Sequence, residues 1–311
     1  MRVAARSWGL GVVEVGQRSL RNFVGHGMPT HASALAYQGL FALFPFVIFL
    51  GVLLVIFQVD SFFGWLIEQA RSQPPPQRVP GPLEPVLEQV RYSLPEEALA
   101  QVAVRLVGQG QEVAESQLLP FGIVFLAIWS ASGLAWTLLG ALNTVYEVEE
   151  TRPLWRRFAL SVVFAPVLAV TAIVGVGLLL VGPQLAEWLA GRVGLDEAFV
   201  AFWWWVRLPV ALLLLMLAVS AIYHLVPNTN RPFRFVVFGA VVAVIAWALA
   251  SLGFSFYLSN FANYGLIYGS LGTAVALLVY LYLSAAALLL GAEVNEAVYF
   301  RALENGGAGG G

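Results

Sequence analysis

Long apolar stretches alternate with short polar connections along most of this chain. Six stretches of about 20 residues or more carry few or no charges: 32–57, 119–142, 158–182, 208–226, 235–257 and 268–292. Because a helix rises about 1.5 Å per residue, each is long enough to cross a hydrocarbon core about 30 Å thick. The stretches lack the alternation of membrane barrel strands, so they are expected to be helices. The predicted fold class is all-α, a polytopic six-helix transmembrane bundle.

Arginines are divided unevenly between the two sides of this predicted bundle. Nine of them precede the first span or lie between spans two and three or four and five, whereas the opposite short connections hold only Arg192 and Arg207. The positive-inside rule then predicts that both termini are cytoplasmic. The run FWWWVR at 202–207 is expected at the outer interface, where tryptophan is commonly enriched.

Three further segments flank or interrupt the transmembrane domain, which is expected at 32–302. Residues 1–31 have an apolar stripe at Trp8, Val12, Val15, Leu20 and Phe23, typical of a helix on the inner membrane surface or of a short soluble lead-in helix. Residues 58–118, with eight acids and four arginines, predict an outer helical lid that packs on the bundle or binds a partner. Residues 303–311 are glycine-rich and predict a flexible tail.

The composition narrows the possible chemistry. The chain is 59% hydrophobic and 11% charged, and its mean hydropathy of +0.80 is that of a membrane protein. Its net charge of -2 argues against a nucleic-acid partner, since that needs a basic surface. The absence of cysteine excludes disulfides, iron–sulfur ligation and thiol chemistry, and no cofactor is expected. Membrane lipids are the expected partners, and the sequence does not set an oligomeric state.

Polar residues gather at the predicted inner ends of the spans. No ionisable group lies near the membrane midplane, which argues against a proton pump built on an intramembrane relay. The candidate inner cluster consists of Tyr37, Gln38, Asn143, Arg152, Arg157, Asn228, Arg234, Glu293 and Asn295. One interpretation is an arginine–glutamate pair that locks the inner ends of the helices together. The other is the inner mouth of a passage for an anionic or amphiphilic substrate, bound by arginine side chains.

Glu293 stands out within this cluster. A carboxylate at a helix C-terminus opposes the helix dipole, so span six is expected to continue past Glu293 toward Arg301. Arg157 or Arg234 is the expected partner of Glu293.

The segment FANYGLIYGSLGTAV at 261–275 is uncharged although it joins two spans. We predict a tight outer hairpin in which small residues permit close helix packing if helix begins by Tyr264. The alternative is a re-entrant turn that contacts substrate. The residues that carry this hypothesis are Tyr264, Gly265, Tyr268, Gly269 and Gly272.

Pro45, Pro166 and Pro209 lie inside predicted spans, where each is expected to bend its helix.

Several segments together resemble the YihY/virulence factor BrkB family of bacterial inner-membrane proteins. They are ASALAYQGLFALFPFVIFL, LNTVYEVEETRPLWRR, YHLVPN, YGLIYGSLG and LLLGAEVNEA, in the family's order between about Asn22 and Val298. The chain departs from the family at Gln38, where another aromatic is usual, and at Ala42, where serine is common. The resemblance implies six spans, cytoplasmic termini and an inner-membrane location. The family also carries an older label, ribonuclease BN.

The residues of this chain do not favour a ribonuclease activity. Metal-dependent RNA hydrolysis needs clustered His and Asp ligands and a basic surface. His26, His31 and His224 are not spaced as ligands beside carboxylates, so interfacial structural roles are expected for all three. We therefore predict no catalytic residues and no metal site. Two function classes remain: a transporter or lipid-translocating protein, and a non-transporting scaffold that binds lipid or envelope partners.

Overall fold

The apolar stretches form long helices. A computed structural model of the chain describes residues 2–56, 116, 119–153, 155–160, 197–229, 233–261 and 264–307. Six long helices lie in this part: α1 (Arg2–Gly25), α2 (Met28–Ile56), α3 (Leu119–Val145), α4 (Glu197–Leu225), α5 (Phe233–Phe261) and α6 (Tyr264–Gly307). A short helical segment at 155–160 follows α3. All regular secondary structure in these ranges is helical, which confirms the predicted all-α class.

Four of the helices are long and apolar enough to cross a membrane. Their apolar segments are Met28–Phe49, Val124–Val145, Phe235–Leu258 and Ala274–Ala302, in the places of predicted spans one, two, five and six. The apolar stretch Pro209–Leu225 in α4 is shorter and corresponds to predicted span four. Predicted span three lies outside the described residues except at its start, so the count of six spans stays a prediction. The expected lid, apart from Ser116, and Pro166 also lie outside them.

Helices α4 and α6 extend beyond the spans predicted from apolar character. Helix α4 begins at Glu197, well before the predicted start at 208, because the aromatic run before Pro209 continues the helix. Helix α6 runs through Glu293 and past Arg301 to Gly307, as the unfavourable placement of Glu293 at a helix end predicted. It therefore extends into the segment expected to be a tail. Pro45 and Pro209 lie inside α2 and α4, respectively.

Helix α6 organises the bundle. It packs against α5, α2 and α1, while α2 also packs against α3 and α4 against α5. Helix α1 lies beside the final part of α6: Arg18 pairs with Glu304 at 3.2 Å and stacks over the Phe300 ring, and Arg301 lies 3.5 Å from Glu14. Phe23 packs on the core, whereas Leu20 of the predicted apolar stripe is exposed.

Among the described side chains, the buried hydrophobic residues are concentrated at one end of the bundle. This end, which we call the polar end, contains the start of α2, the ends of α3 and α4, the start of α5 and the Glu293 region of α6. The buried core residues there include Met28, Leu142, Tyr146, Tyr223, Val236 and Leu289. Polar side chains meet around this core, so the polar end is the place to look for a site.

Candidate functional site

Arg152 ties the loop after α3 to the end of α4. Its Nε donates to Asn228 Oδ1 at 3.1 Å, and its two terminal nitrogens donate to the Val226 carbonyl at 3.1 Å and the Pro227 carbonyl at 2.6 Å. The carbonyls at the end of a helix lack intrahelical partners and carry partial negative charge, so a guanidinium is well suited to them. Arg152 therefore caps the end of α4 from a neighbouring loop.

Two asparagines join the same loop to both helix ends. The Asn143 amide donates to Glu150 Oε2 at 2.7 Å and its oxygen accepts the Asn228 backbone N–H at 3.0 Å. The Asn228 amide donates to the Glu149 carbonyl at 3.1 Å and to Thr151 Oγ1 at 2.9 Å. The contacts of Asn143, Asn228 and Arg152 thus form one network, as the predicted clustering of these three residues required.

Arg157 lies at the edge of this network. Its guanidinium lies 4.0 Å from the centre of the Trp136 ring, and its Nε is 4.0 Å from Glu150 Oε2. A guanidinium over a tryptophan face is a favourable cation–π arrangement. The Arg234 side chain lies outside the described part of the structure. Arg152 and Arg157 are therefore engaged within the protein at the polar end.

The partner of Glu293 is a histidine. Glu293 is fully buried, and its Oε1 lies 2.8 Å from Nδ1 of His26, in the two-residue turn between α1 and α2. The charged groups acting on Glu293 among the described side chains are His26 and Glu147. Of the two expected arginine partners, Arg157 lies beside Glu150 and Trp136 instead, and the pairing with Arg234 stays a prediction because its side chain lies outside the described residues.

Glu147 reaches the other side of the His26 ring. Its Oε1 lies 3.6 Å from Nε2 of His26. Glu147 follows α3 with a positive φ of 51°, and two backbone bonds surround it: Glu147 N–H to the Thr144 carbonyl at 3.2 Å and Val148 N–H to the Asn143 carbonyl at 3.0 Å. This pair of bonds is the Schellman helix end, in which glycine usually occupies the left-handed position.

A second buried polar group joins α6 to α5. Asn295 Oδ1 accepts the backbone N–H of Gly239 at 2.6 Å, and its amide lies 3.4 Å from the Tyr146 hydroxyl. At the same point, Gly239 of α5 and Gly291 of α6 face each other so closely that a Cβ on either one would overlap the carbonyl of the other. The Tyr223 hydroxyl donates to the Leu288 carbonyl beside this contact.

Tyr37 and Gln38 do not join this cluster. The Tyr37 ring is exposed and stacks against Phe41, while the Gln38 amide lies beside Gly133 of α3. Gly133 lies ten residues before Asn143 in the same helix, which corresponds to about 15 Å. These two residues lie deeper along the bundle than the sequence reasoning placed them.

The outer hairpin can be described only in part. Helix α5 ends at Phe261 and α6 begins at Tyr264, so the connection is short and the helix begins where the packing hypothesis requires. Tyr264, Gly265, Tyr268 and Gly269 lie in the first turns of α6, and Gly272 follows one turn later. The packing of the first four lies outside the described residues and stays a prediction.

Sequence reasoning missed four contributors to the polar end: His26, Glu147, Glu150 and the Gly239–Gly291 contact. Glu150 lies inside the quoted motif EVEETRPLWRR, so its closeness to Arg152 was a usable signal. His26 had only a weak signal, its place before Gly27, whose positive φ of 68° turns the chain between α1 and α2. Among the described residues, no three His, Asp or Glu side chains are arranged to hold a metal ion.

The network also borders an open depression at the protein surface. Arg152, His224, Pro227, Asn228 and Thr229 line it. Its polar lining comes from groups that already bond to the protein, since Arg152 and Asn228 make the contacts described above. The depression is therefore a surface feature of the packed polar end.

Comparison with known proteins supports a single family. The family model of virulence factor BrkB matches residues 19–308. The chain is 31% identical over 276 residues to "Putative ribonuclease-like protein YfkH" of Bacillus subtilis (strain 168), covering 89% of this chain and 92% of that protein. It is 25% identical over 286 residues to a UPF0761 membrane protein of Pseudoalteromonas atlantica, covering 90% and 85%.

Other relatives match over a shorter part. The UPF0761 membrane protein Nmul_A0452 of Nitrosospira multiformis is 33% identical over 183 residues, which is 58% of this chain but 40% of the relative. No solved structure matches the chain. The family model covers most of the residues, and the described helices are membrane-like in length and composition. The chain is therefore a bacterial membrane protein of the virulence factor BrkB family.

Proposed function

We propose that this protein moves an amphiphilic, anionic molecule of the phospholipid class across the bacterial inner membrane, and that the polar end is its closed gate. The observation that carries this proposal is the uneven packing of the side chains that the structure describes. Helix ends are tightly joined at the polar end, whereas large apolar side chains are exposed along the opposite halves of the same helices.

The packed half is closed by specific contacts. Buried residues of α3, α4 and α5 concentrate at 135–145, 219–226 and 236–244. Arg152 holds three oxygen atoms at the end of α4, and the Asn143–Asn228 contact joins α3 to the same point. A substrate that leaves through this end would need these contacts to open, so the paired arginines act as a gate and not as an open binding site.

The opposite half presents apolar and aromatic groups. Exposed large side chains there include Phe121, Phe125, Trp129, Phe202, Trp205, Leu249, Phe256 and Val275. Such surfaces are compatible with acyl chains, since burying apolar area away from water is favourable and aromatic rings suit the membrane interface. An amphiphile with an acyl chain fits this half of the bundle better than a small ion does.

The orientation belongs to the same proposal. The nine-to-two division of arginines predicts a cytoplasmic polar end. The contacts of α1 with the last part of α6 support termini on one side of the membrane, because Arg18 meets Glu304 and Arg301 meets Glu14. We therefore propose that the gate closes the cytoplasmic end.

The proposed function is not enzymatic. The name of YfkH describes that relative as ribonuclease-like. A nuclease needs a basic surface for phosphate, whereas this chain has a net charge of -2 and engages Arg152 and Arg157 within the protein. A second candidate is a membrane scaffold, which the dense packing of the polar end favours.

Lipid movement in reconstituted vesicles separates these two candidates. Purified protein is placed in phosphatidylethanolamine–phosphatidylglycerol vesicles that contain a short-chain fluorescent phosphatidylglycerol, and albumin extracts the label from the outer leaflet. We expect label from the inner leaflet to become extractable faster than in protein-free vesicles. Arg152→Gln is expected to change this rate several-fold because it loosens the gate, whereas Arg156→Gln, which alters an exposed neighbouring arginine, leaves it unchanged.

Rates equal to those of protein-free vesicles for both the parent protein and Arg152→Gln would reject the proposal and favour the scaffold. Folding of each variant is checked by its thermal transition. This control matters because a loss of charge-assisted hydrogen bonds costs about 1.5–3 kcal/mol each.

A further inference from the structure

His26 occupies an unusual position for a histidine in a membrane protein. It lies in the turn between α1 and α2, and both ring nitrogens face carboxylates on other elements. Nδ1 lies 2.8 Å from Glu293 Oε1 on α6, and Nε2 lies 3.6 Å from Glu147 Oε1 after α3. One imidazole therefore links three parts of the bundle.

The two carboxylates differ in their access to water. Glu293 is fully buried, and its Oε2 has no hydrogen-bond partner among the described residues. The Glu147 side chain is 58% exposed. A buried carboxylate needs a compensating positive charge or a proton, because desolvation penalises the isolated anion. His26 is the basic side chain within salt-bridge distance of Glu293 in the described part of the chain.

The geometry also restricts the hydrogen atoms on the ring. A neutral imidazole has one N–H donor and one acceptor lone pair, whereas the imidazolium donates from both nitrogens. In the neutral form with a hydrogen on Nδ1, the Nε2 lone pair would face the Glu147 carboxylate. Only the doubly protonated ring places a hydrogen toward both carboxylates.

We propose that His26, Glu147 and Glu293 form a proton-binding site that holds the corner between α1 and α2 onto the bundle. The ligand is one proton taken from water, which adds to Nε2 of a ring already protonated on Nδ1. The ring gains one positive charge and no other bond forms or breaks. Exposed Glu147 gives the proton a path from solvent, and buried Glu293 stabilises the resulting cation.

The neighbouring elements carry further charged groups, and the Arg234 side chain near the start of α5 lies outside the described residues. Helix α1 carries Arg21, α2 carries His31 and α6 carries the buried carboxylate of Glu296. When the proton leaves Nε2, the Nδ1–H hydrogen bond to Glu293 remains, but the ring loses its positive charge and its attraction to both carboxylates.

This inference does not depend on what the protein transports. It concerns an attachment of the N-terminal helix, so it can hold even if no lipid movement is found. It also gives His26 a role beyond the interfacial structural role that the sequence suggested.

Nitrogen NMR of the ring nitrogens tests the site directly. The full chain, labelled with ¹⁵N-histidine and placed in lipid nanodiscs, has three histidines, and the signal lost in His26→Gln identifies His26. At one fixed pH shared by all samples, we expect both ring nitrogens of His26 to be protonated in the parent protein. In Glu293→Gln the ratio of doubly to singly protonated ring should fall by about tenfold or more at the same pH.

Glu304→Gln is the matched control, since it removes an exposed carboxylate from the same helix without touching His26. Its His26 titration should match that of the parent protein. If Glu293→Gln does not fold, Glu147→Gln should lower the doubly protonated fraction in the same direction. A singly protonated His26 ring in the parent protein, or equal protonation of His26 in the carboxylate variants and Glu304→Gln, would overturn the proposal.

Discussion

At Glu147 the backbone conformation favours glycine, whereas the contact with His26 requires a carboxylate side chain. Its positive φ of 51° is a conformation that glycine adopts without cost, whereas other residues pay about 1–2 kcal/mol for it. The side chain explains its presence, because the carboxylate lies 3.6 Å from the His26 ring. Backbone strain is therefore retained where a charged group contacts the corner between α1 and α2.

Two substitutions of Glu147 separate the effect of backbone strain from the effect of the carboxylate. Glu147→Gly relieves the backbone and removes the carboxylate, whereas Glu147→Gln removes the charge and keeps the strain. We expect Glu147→Gly to be more stable than Glu147→Gln by about 1 kcal/mol, measured by thermal or denaturant unfolding in detergent. Equal stability of the two variants would show that the helix end has no strain to relieve.

At the scale of single residues, the sequence predicted some contacts and missed others. Asn143, Arg152 and Asn228 belonged to a predicted cluster of nine polar residues, of which Tyr37 and Gln38 lie elsewhere. The pairing of His26 with Glu293 joins residues 267 positions apart, and it depends on how α1 turns at Gly27 and how α6 is rotated. Neither the turn nor the rotation has a signature in a single sequence.

At the scale of elements, α5 and α6 approach each other closely at a pair of glycines. Gly239 and Gly291 face each other, and Asn295 bonds to the Gly239 backbone at 2.6 Å. Small residues allow helices in membranes to approach closely, and packing then replaces the hydrophobic effect as the source of stability. The sequence placed such a contact at the outer hairpin, but with 30 glycines in the chain it could not indicate this one.

Two alanine substitutions in α5 test this contact. Gly239→Ala places a Cβ against the Gly291 carbonyl and the Asn295 side chain, so we expect a loss of about 1–3 kcal/mol from overpacking. Gly253→Ala lies in open space on the same helix, and we expect it to be neutral or stabilising because alanine favours helix. Thermal unfolding of both variants provides the comparison. If Gly239→Ala were as stable as Gly253→Ala, the close contact would not exist in the membrane protein.

The apolar pattern predicted whole elements better than it predicted their ends. It placed α2, α3, α5 and α6 correctly, and the unfavourable position of Glu293 predicted the extension of α6. It placed the start of α4 too late, because tryptophans typical of an interface can also continue a helix. The length of an apolar stretch thus indicates how much of a helix lies in the hydrocarbon core, and the whole helix can be longer.

At the scale of the whole molecule, the described parts of the helices are packed unequally along their length. The polar end combines the hydrophobic core, the Arg152 network and the His26 site, while the other halves of α3, α4 and α5 expose large apolar groups. The Arg152 network and the His26 site are built from loops and helix ends, which can separate without disrupting the helices. This arrangement is what a gate at one end of a translocating bundle requires.

The central claim is that the polar end must open for an amphiphile to pass, and a reversible crosslink tests it most directly. Thr151 and Asn228 contact each other across the gate at 2.9 Å, and the chain has no native cysteine. Thr151→Cys with Asn228→Cys is oxidised in vesicles, and movement of fluorescent phosphatidylglycerol is followed by albumin extraction. The account predicts that oxidation lowers the rate to that of protein-free vesicles and that a thiol reductant restores it. Equal rates in the oxidised and reduced protein, with the crosslink verified, would contradict it.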